Sequence, residues 1–182
     1  MIKMPKRRIV PFENDRVLLR LLDITDLPLT LSWRNQAEIR KWFVNSDVIT
    51  AAGHYEWYKR YELMDNDFVF IIVAKDLDNL PVGQISLYRI DWNLATAEYG
   101  RIMIGESLAK GKGYARQSTK LLIGYGLEGL KLKEITLEVR EDNMPAIAVY
   151  RSTGFVEEKR KSGFITMCIS STQYHRANND SS

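Results

Sequence analysis

The chain has 182 residues, 45% hydrophobic and 27% charged, with a formal net charge of +3. That length suits one domain with a sizeable core, and the composition excludes a disordered chain. The charge is too small to call for nucleic acid, the one cysteine (Cys168) excludes an internal disulfide, and the distant His54 and His175 suggest no zinc site.

No stretch approaches the about 20 apolar residues that cross a membrane. The start, Met1 to Arg8, is basic but lacks an apolar signal-peptide core. Cytoplasmic residence is therefore expected, with neither a membrane nor nucleic acid as partner. Lys6-Arg7-Arg8 and Lys159-Arg160-Lys161 read as solvated surface. One domain over residues 1–175 is expected, followed by a polar, flexible tail over 176–182.

In chain order, Arg16 to Leu21 reads as a first strand. Asp23 to Pro28 is a helix-start cluster, with Thr25 or Asp26 as cap and Pro28 in the first turn. The helix carries Leu29, Leu31 and Trp33. A polar break at Asn45-Ser46-Asp47 precedes a second helix from about Ala52 to Leu63, with Trp57, Tyr58 and Tyr61 at helical spacing. Such aromatics are core residues first, since aromatic burial dominates cores. The segment from Trp33 to Asn45 also mixes aromatics with Arg34, Asn35, Arg40 and Lys41, a combination that suits a polar, anionic acceptor.

Phe68 to Ala74 is continuously apolar and reads as a buried strand. After a turn at Asp76 to Pro81, Val82 to Asp91 and Thr96 to Ile104 complete an antiparallel meander. Next comes Lys110-Gly-Lys-Gly-Tyr-Ala115, between the apolar Ile102-Met103-Ile104 and an amphipathic helix reaching Leu130. Small residues at a strand-to-helix junction let backbone N–H groups approach a ligand, and the helix start supplies unpaired donors and positive potential. Lys110, Lys112 and Arg116 add charge. Lys110, Gly111, Lys112, Gly113, Tyr114 and Ala115 thus form a candidate phosphate or pyrophosphate site, with a tight connection as the alternative. A P-loop is excluded because Gly113, not Ser or Thr, follows Gly111-Lys112. A dinucleotide fingerprint fails because Arg116 stands where a third glycine belongs, and the upstream meander also argues against a Rossmann domain.

Ile135 to Arg140 reads as a strand and Met144 to Ser152 as a short helix, with Asn143 at its start and Gly154 closing it. Phe155 to Lys161 and Phe164 to Ile169 make a hairpin around Ser162-Gly163. Cys168, inside that apolar run, reads as buried filler. The element order gives an α/β domain with a mixed sheet.

Lys110 to Ala115 resembles the Gln/Arg-x-x-Gly-x-Gly/Ala signature of the GNAT acetyltransferase superfamily, with Gly113 and Ala115 matching and Lys110 replacing the usual Gln or Arg. Asn143 to Phe155 resembles that superfamily's second signature, Asn-x-x-Ala-x-x-x-Tyr-x-x-x-Gly-Phe, through Asn143, Ala146, Tyr150, Gly154 and Phe155. The resemblance implies a GNAT fold of about seven strands and about four helices. It also implies acetyl-CoA as co-substrate, with no metal. Its pyrophosphate would lie on the glycine turn and its pantetheine arm beside Ile102, Met103 and Ile104, where a backbone N–H would serve the oxyanion. Asn143 would contact the arm as well as cap its helix.

Acetyl transfer to an amine needs a neutral amine, a polarised carbonyl and a proton for the departing thiolate. The resemblance makes Tyr150 the acid; by spacing alone it equally fits a packed aromatic. Glu138 and Glu98 are the two base candidates, each also compatible with a merely exposed strand position. Leu137-Glu-Val-Arg140 is similar to a run in ribosomal-protein N-terminal acetyltransferases. Trp33-Arg-Asn35 with Ile39-Arg-Lys-Trp42 and Asn45-Ser46 is similar to bacterial acetyltransferases acting on nucleotide-linked amino sugars. The expected acceptor is therefore such a sugar, contacted by Trp33, Arg34, Asn35 and Arg40, with a peptide amine as the rival. Polyamines are disfavoured by the basic segment, a non-catalytic nucleotide-binding module is disfavoured by Tyr150, Glu138 and Glu98 together, and a homodimer is left open.

Overall fold

The computed structural model describes residues 9–179, so Lys6-Arg7-Arg8 and residues 180–182 lie outside the described residues. A short edge strand, Phe12–Glu13 (β1), pairs with Val17–Leu21 (β2). Asp26 stands at the cap position of the first helix as expected, but its side chain does not cap it; a 3₁₀ turn over Ile24–Asp26, capped by Asp23, comes first. Asp23 accepts from the Thr25 N–H at 2.9 Å, and Asp26 accepts from the Asp23 N–H at 2.9 Å. This reciprocal pair is a capping box. Asp26 also holds Arg20 through two contacts of 2.7 Å.

Three helices follow: Leu27–Arg34 (α1), Ala37–Arg40 (α2) and Ala51–Leu63 (α3). Then comes the expected meander, Phe68–Ala74 (β3), Leu80–Asp91 (β4) and Thr96–Ile104 (β5). Every residue of β3 is buried, since alternate side chains feed two cores. Phe68, Phe70 and Ile72 join the larger core, while Val69 and Ile71 meet Tyr58 and Tyr61 of α3.

Tyr114–Gly124 (α4) starts at the glycine turn and continues as a π turn over Tyr125–Gly129. Its buried face puts Leu122, Ile123 and Leu127 into the larger core. Glu134–Arg140 (β6), Met144–Ser152 (α5), Val156–Lys161 (β7), Phe164–Ser170 (β8) and Ser171–Asn179 (α6) complete the order. The tail expected from residue 176 is therefore helical through Asn179. Cys168 is buried as expected, and burial pushes its thiol up to about 11, which keeps it protonated and inert.

All eight strands form one sheet in the order β1-β2-β3-β4-β5-β6-β8-β7. The eighth strand is the two-residue edge β1, and the helices beyond the expected four include the one-turn α2 and terminal α6. Pairing is antiparallel except between β5 and β6. That parallel contact is short: only Thr96, Ala97 and Glu98 find partners, in Glu134, Ile135 and Thr136. Beyond it, β6 pairs with β8 alone, through Leu137 to Arg140, and β5 pairs with β4 alone. A bulge bends β5 there: Ser86 pairs Gly100 and Gln84 pairs Met103, with Arg101 at a φ of 53°. The sheet therefore opens between two neighbouring strands at its centre.

Candidate active site

The opening begins where β5 leaves β6. The Ile102 and Ile104 side chains pack against the larger core, and Met103 packs with Trp33 and Ile39 on the other face. These three residues can thus offer a ligand only backbone groups on the β6 side, where β5 lacks a strand partner. The loop after β5 is anchored to β4, with the Gly105 and Glu106 N–H groups both donating to the Val82 carbonyl.

The strand leads to the glycine turn. Gly111 and Gly113 have φ values of 72° and 83°, which residues with a Cβ rarely adopt. A Cβ at Gly111 would meet nothing within 4 Å, so the turn is open on that side. Gly113 occupies the cap position of α4 without a side chain to cap it. The N–H groups of Gly113, Tyr114, Ala115 and Arg116 consequently have no hydrogen-bond partner among the described residues. Four such donors at the positive end of a helix of 11 residues make a fitting seat for a pyrophosphate. Only the backbone of Tyr114 belongs to that seat: its side chain is buried, with its hydroxyl donating to Asp76 Oδ1 at 2.5 Å.

The turn is braced from below by residues that sequence reasoning did not select. Arg16 donates to the Lys112 carbonyl at 3.0 Å, pairs with Asp76 at 3.0 Å, and stacks 4.8 Å from the Tyr114 ring centroid. The Tyr114 hydroxyl, then Arg16, hold the Asp76 carboxyl below its ordinary range. Lys110 points toward α2, 2.9 Å from Glu38 Oε1 and 3.1 Å from Gln36 Oε1. Asn143 caps α5 by accepting from the Ala146 N–H at 3.3 Å, which leaves its Nδ2 without a partner among the described residues.

Tyr150 is buried beneath the divergence, its ring edge-on to Tyr99 at 5.6 Å and to Phe155 at 6.0 Å. Its hydroxyl makes no hydrogen bond among the described residues. Burial, then the Tyr88 phenol, push it well above the ordinary tyrosine value. The phenol accordingly stays protonated at neutral pH. Neither carboxylate candidate is buried. Glu98 is half-buried and held by Arg89 at 2.9 and 3.1 Å, and Glu138 is exposed on β6. The Arg89 guanidinium is raised above its ordinary value by Glu98 first and by Glu138 more weakly.

Two of the four expected acceptor contacts are committed to the fold instead. Trp33 is 1% exposed and wedged on the Gly105 backbone, and its indole N–H donates to Glu106 Oε1 at 2.8 Å. Asn35 bonds Ile49 twice, at 2.9 Å each, and so fastens the segment after α2. Arg40 reaches the Ser46 carbonyl at 3.3 Å. Arg34 is buried over the Phe43 ring and donates Nη2 to the Asn45 carbonyl. Its Nη1 has no hydrogen-bond partner, and among the described residues no carboxylate pairs with it. Burial, and then Arg40, lower its pKa. No group of three His, Cys, Asp or Glu among the described residues could hold a metal, and no helix is long and apolar enough to cross a membrane.

The acetyltransferase (GNAT) domain family matches residues 16–156. The chain belongs to that family, and it is an acyltransferase. Its relatives include the N-acetyltransferase p20 of Bacillus licheniformis, 28% identical over 152 residues, covering 80% of this chain and 82% of that protein. The spermidine N(1)-acetyltransferase of Vibrio cholerae is 28% identical over 145 residues, with 80% and 82% covered. A longer Methanocaldococcus jannaschii protein is 27% identical over 150 residues, and the chain spans only 30% of it. Among solved structures, the V. cholerae spermidine N-acetyltransferase in complex with CoA and spermine shares the fold with a TM-score of 0.80 at 24% identity, over 89% of this chain and 99% of that one. The nucleotide-linked sugar GNAT FdhC has the same TM-score, 0.80, at 20% identity, over 94% and 96%. The family uses acetyl-CoA.

Proposed function

We propose that this chain moves the acetyl group of acetyl-CoA directly to a primary amine carried by a nucleotide-linked amino sugar. The observation that carries the first half is the divergence of β5 from β6, ending at four unpaired N–H groups of α4. An extended arm can add to the free edge of β5 while its pyrophosphate meets the helix start. On this reading the β5 backbone polarises the carbonyl, and the buried Tyr150 phenol gives its proton to the leaving sulfur. Glu98 or Glu138 takes up the proton of the amine. No side chain needs to carry the acetyl group, because the amine attacks directly.

The second half rests on charge. Arg34 is a buried cation without a carboxylate partner, and its nearest charged neighbour in effect is another cation, Arg40. Such a surface favours an acceptor with phosphates and disfavours a polycation. The likeness to spermidine acetyltransferases favours a second reading, in which the acceptor is a polyamine. An acceptor screen with acetyl-CoA and free-thiol detection separates them. The panel holds UDP-linked amino sugars, spermidine, and peptides with free N-termini. Turnover on the sugars alone is expected. Turnover on spermidine alone overturns the sugar assignment, and turnover on peptides alone moves the function to protein N-terminal acetylation. No turnover despite CoA binding overturns acetyl transfer to these acceptors.

A further inference from the structure

Tyr88 on β4 has no part in the reading above, yet it stands at its centre. Its Cα partner across the sheet is Glu98 on β5. Its phenolic oxygen lies 3.2 Å from where a Cβ on Gly100 would stand, so it rests on the β5 backbone two residues past the last contact with β6. Arg101 lies 4.1 Å over the ring and is itself fixed by Asp67 at 2.9 Å, which leaves the phenol little freedom to swing away. The hydroxyl interacts with the Glu98 carboxylate across the pair, and the residue is half-buried rather than sealed. A phenol oxygen beside a carboxylate thus faces the stretch of β5 beside which the reaction takes place.

We infer that Tyr88 is a further catalytic residue, whose hydroxyl receives a proton from the acceptor ammonium while passing its own to Glu98. The inference rests on the acetyltransfer reading. The transfer balances: one N–H bond breaks at the ammonium, one O–H bond forms on the Glu98 carboxylate, and Tyr88 ends as the phenol it began. The freed lone pair then forms the C–N bond as the C–S bond breaks; Tyr150 gives its proton to the thiolate, and the second N–H proton, lost from nitrogen as the amide forms, restores the Tyr150 phenol. A relay suits Tyr88 better than a simple base. Burial and the facing Glu98 raise its phenol above the ordinary value, against the opposing pull of Arg101 and Arg89, so a resting phenolate is disfavoured. The remaining charged or titratable groups around it are Tyr150 from α5, and Glu138 from β6 through Arg89. Arg89, 2.9 Å from Glu98 Oε1, fixes that carboxylate opposite Tyr88.

The test compares the parent with Tyr88→Phe, Glu98→Gln and the double variant, using a UDP-linked amino sugar, then spermidine and a free-N-terminus peptide. Tyr88→Phe keeps the ring under Arg101, and its Tm reports whether the fold holds. A kcat lower by about 100-fold is expected, the lower bound for lost acid–base assistance. CoA affinity should change by less than about 2-fold, and the acidic limb of the parent pH–rate profile should move to higher pH in both single variants. The double variant should be no slower than Glu98→Gln alone, because the two groups act in series. An unchanged kcat and profile in Tyr88→Phe, or losses that multiply in the double variant, overturn the relay. So does a joint collapse of Tm and CoA affinity, which marks a packing residue. A parent inert toward all three acceptors instead overturns the acetyltransfer reading and this inference with it, and is visible before any variant is made.

Discussion

Lys110 Nζ lies 2.9 Å from Glu38 Oε1, so the cation at the head of the glycine turn is paired with α2. Both side chains are substantially exposed, and such a pair contributes little to stability. Its effect is on where the charge points. Lys110 holds the Glu38 carboxyl below its ordinary range, so the pair persists down through mildly acidic pH. Glu38→Gln should release Lys110 toward the turn and tighten CoA binding by about 2-fold to 5-fold, within the range of one exposed charge contact. Lys110→Ala should weaken CoA binding and flatten its dependence on salt. Titration calorimetry at two salt concentrations checks both, and unchanged affinities would remove Lys110 from the cofactor seat.

Arg16 ties three things together: the Lys112 carbonyl, the Asp76 carboxylate and the Tyr114 ring. It leaves the α4 donors free while fixing the turn that presents them. Arg16→Gln should therefore weaken CoA binding by up to about 10-fold, because the turn that presents the donors loses a charge-assisted hydrogen bond. Because the contacts are exposed, Tm should fall by no more than a few degrees. Equal losses in affinity and Tm would make Arg16 a general stabiliser instead.

The glycine turn and the Asn143-to-Phe155 helix were legible because each is a local pattern. Residues 111, 113, 143 and 154 set backbone conformation within a few positions of themselves. The fully apolar β3 was legible for a similar reason: it is covered on both faces, so no alternation is needed. The brace under the turn was not legible, since Arg16 and Asp76 are 60 residues apart and neither has a local signal. Trp33 shows the limit differently. An aromatic at helical spacing looks the same whether it lines a pocket or fills a core, and the deciding partner, Glu106, lies 73 residues on. The parting of β5 and β6 has its visible cause in the bulge at Arg101, a left-handed residue that no turn signal in the sequence marks.

Gly105 carries a prediction from that packing. A Cβ there would stand 2.0 Å from Trp33 Cγ, a collision that the rigid, buried indole cannot avoid. Gly105→Ala should cost about 1–3 kcal/mol, as overpacking does. It should also loosen CoA binding, because Gly105 and Glu106 anchor the loop that leads to the turn. Urea unfolding and CoA titration on the same sample measure both. A stable variant with full affinity would mean that Trp33 can move aside.

His54 joins α3 to α1 through Thr30 Oγ1, 2.9 Å from its Nε2, and stacks on Trp57. Burial lowers its pKa from 6.5. The unfolded chain thus takes up this proton at a higher pH than the folded chain does. Stability from the neutral ring is fully present above the unfolded value, and is lost as pH falls from there through the folded value. The parent should lose more Tm between about pH 7.5 and about pH 5 than His54→Gln, with each ~1 kcal/mol read as ~2–4 °C. Parallel curves would show that the ring is not titrating in that window.

Tyr150 makes the sharpest demand on the chemistry. Its ring is held between Tyr99 and Phe155, while its hydroxyl bonds to no described residue. Tyr150→Phe keeps the ring contacts and removes only the proton donor. It should lower kcat by about 100-fold, the lower bound usual for a lost general acid, and leave CoA affinity within about 2-fold. Because the phenol is raised by burial, it stays protonated across neutral pH, and the alkaline limb of the parent profile should lie above the ordinary tyrosine value. In Tyr150→Phe that limb should disappear. If CoA affinity collapses instead and the limb remains, Tyr150 serves packing and the thiolate finds its proton elsewhere.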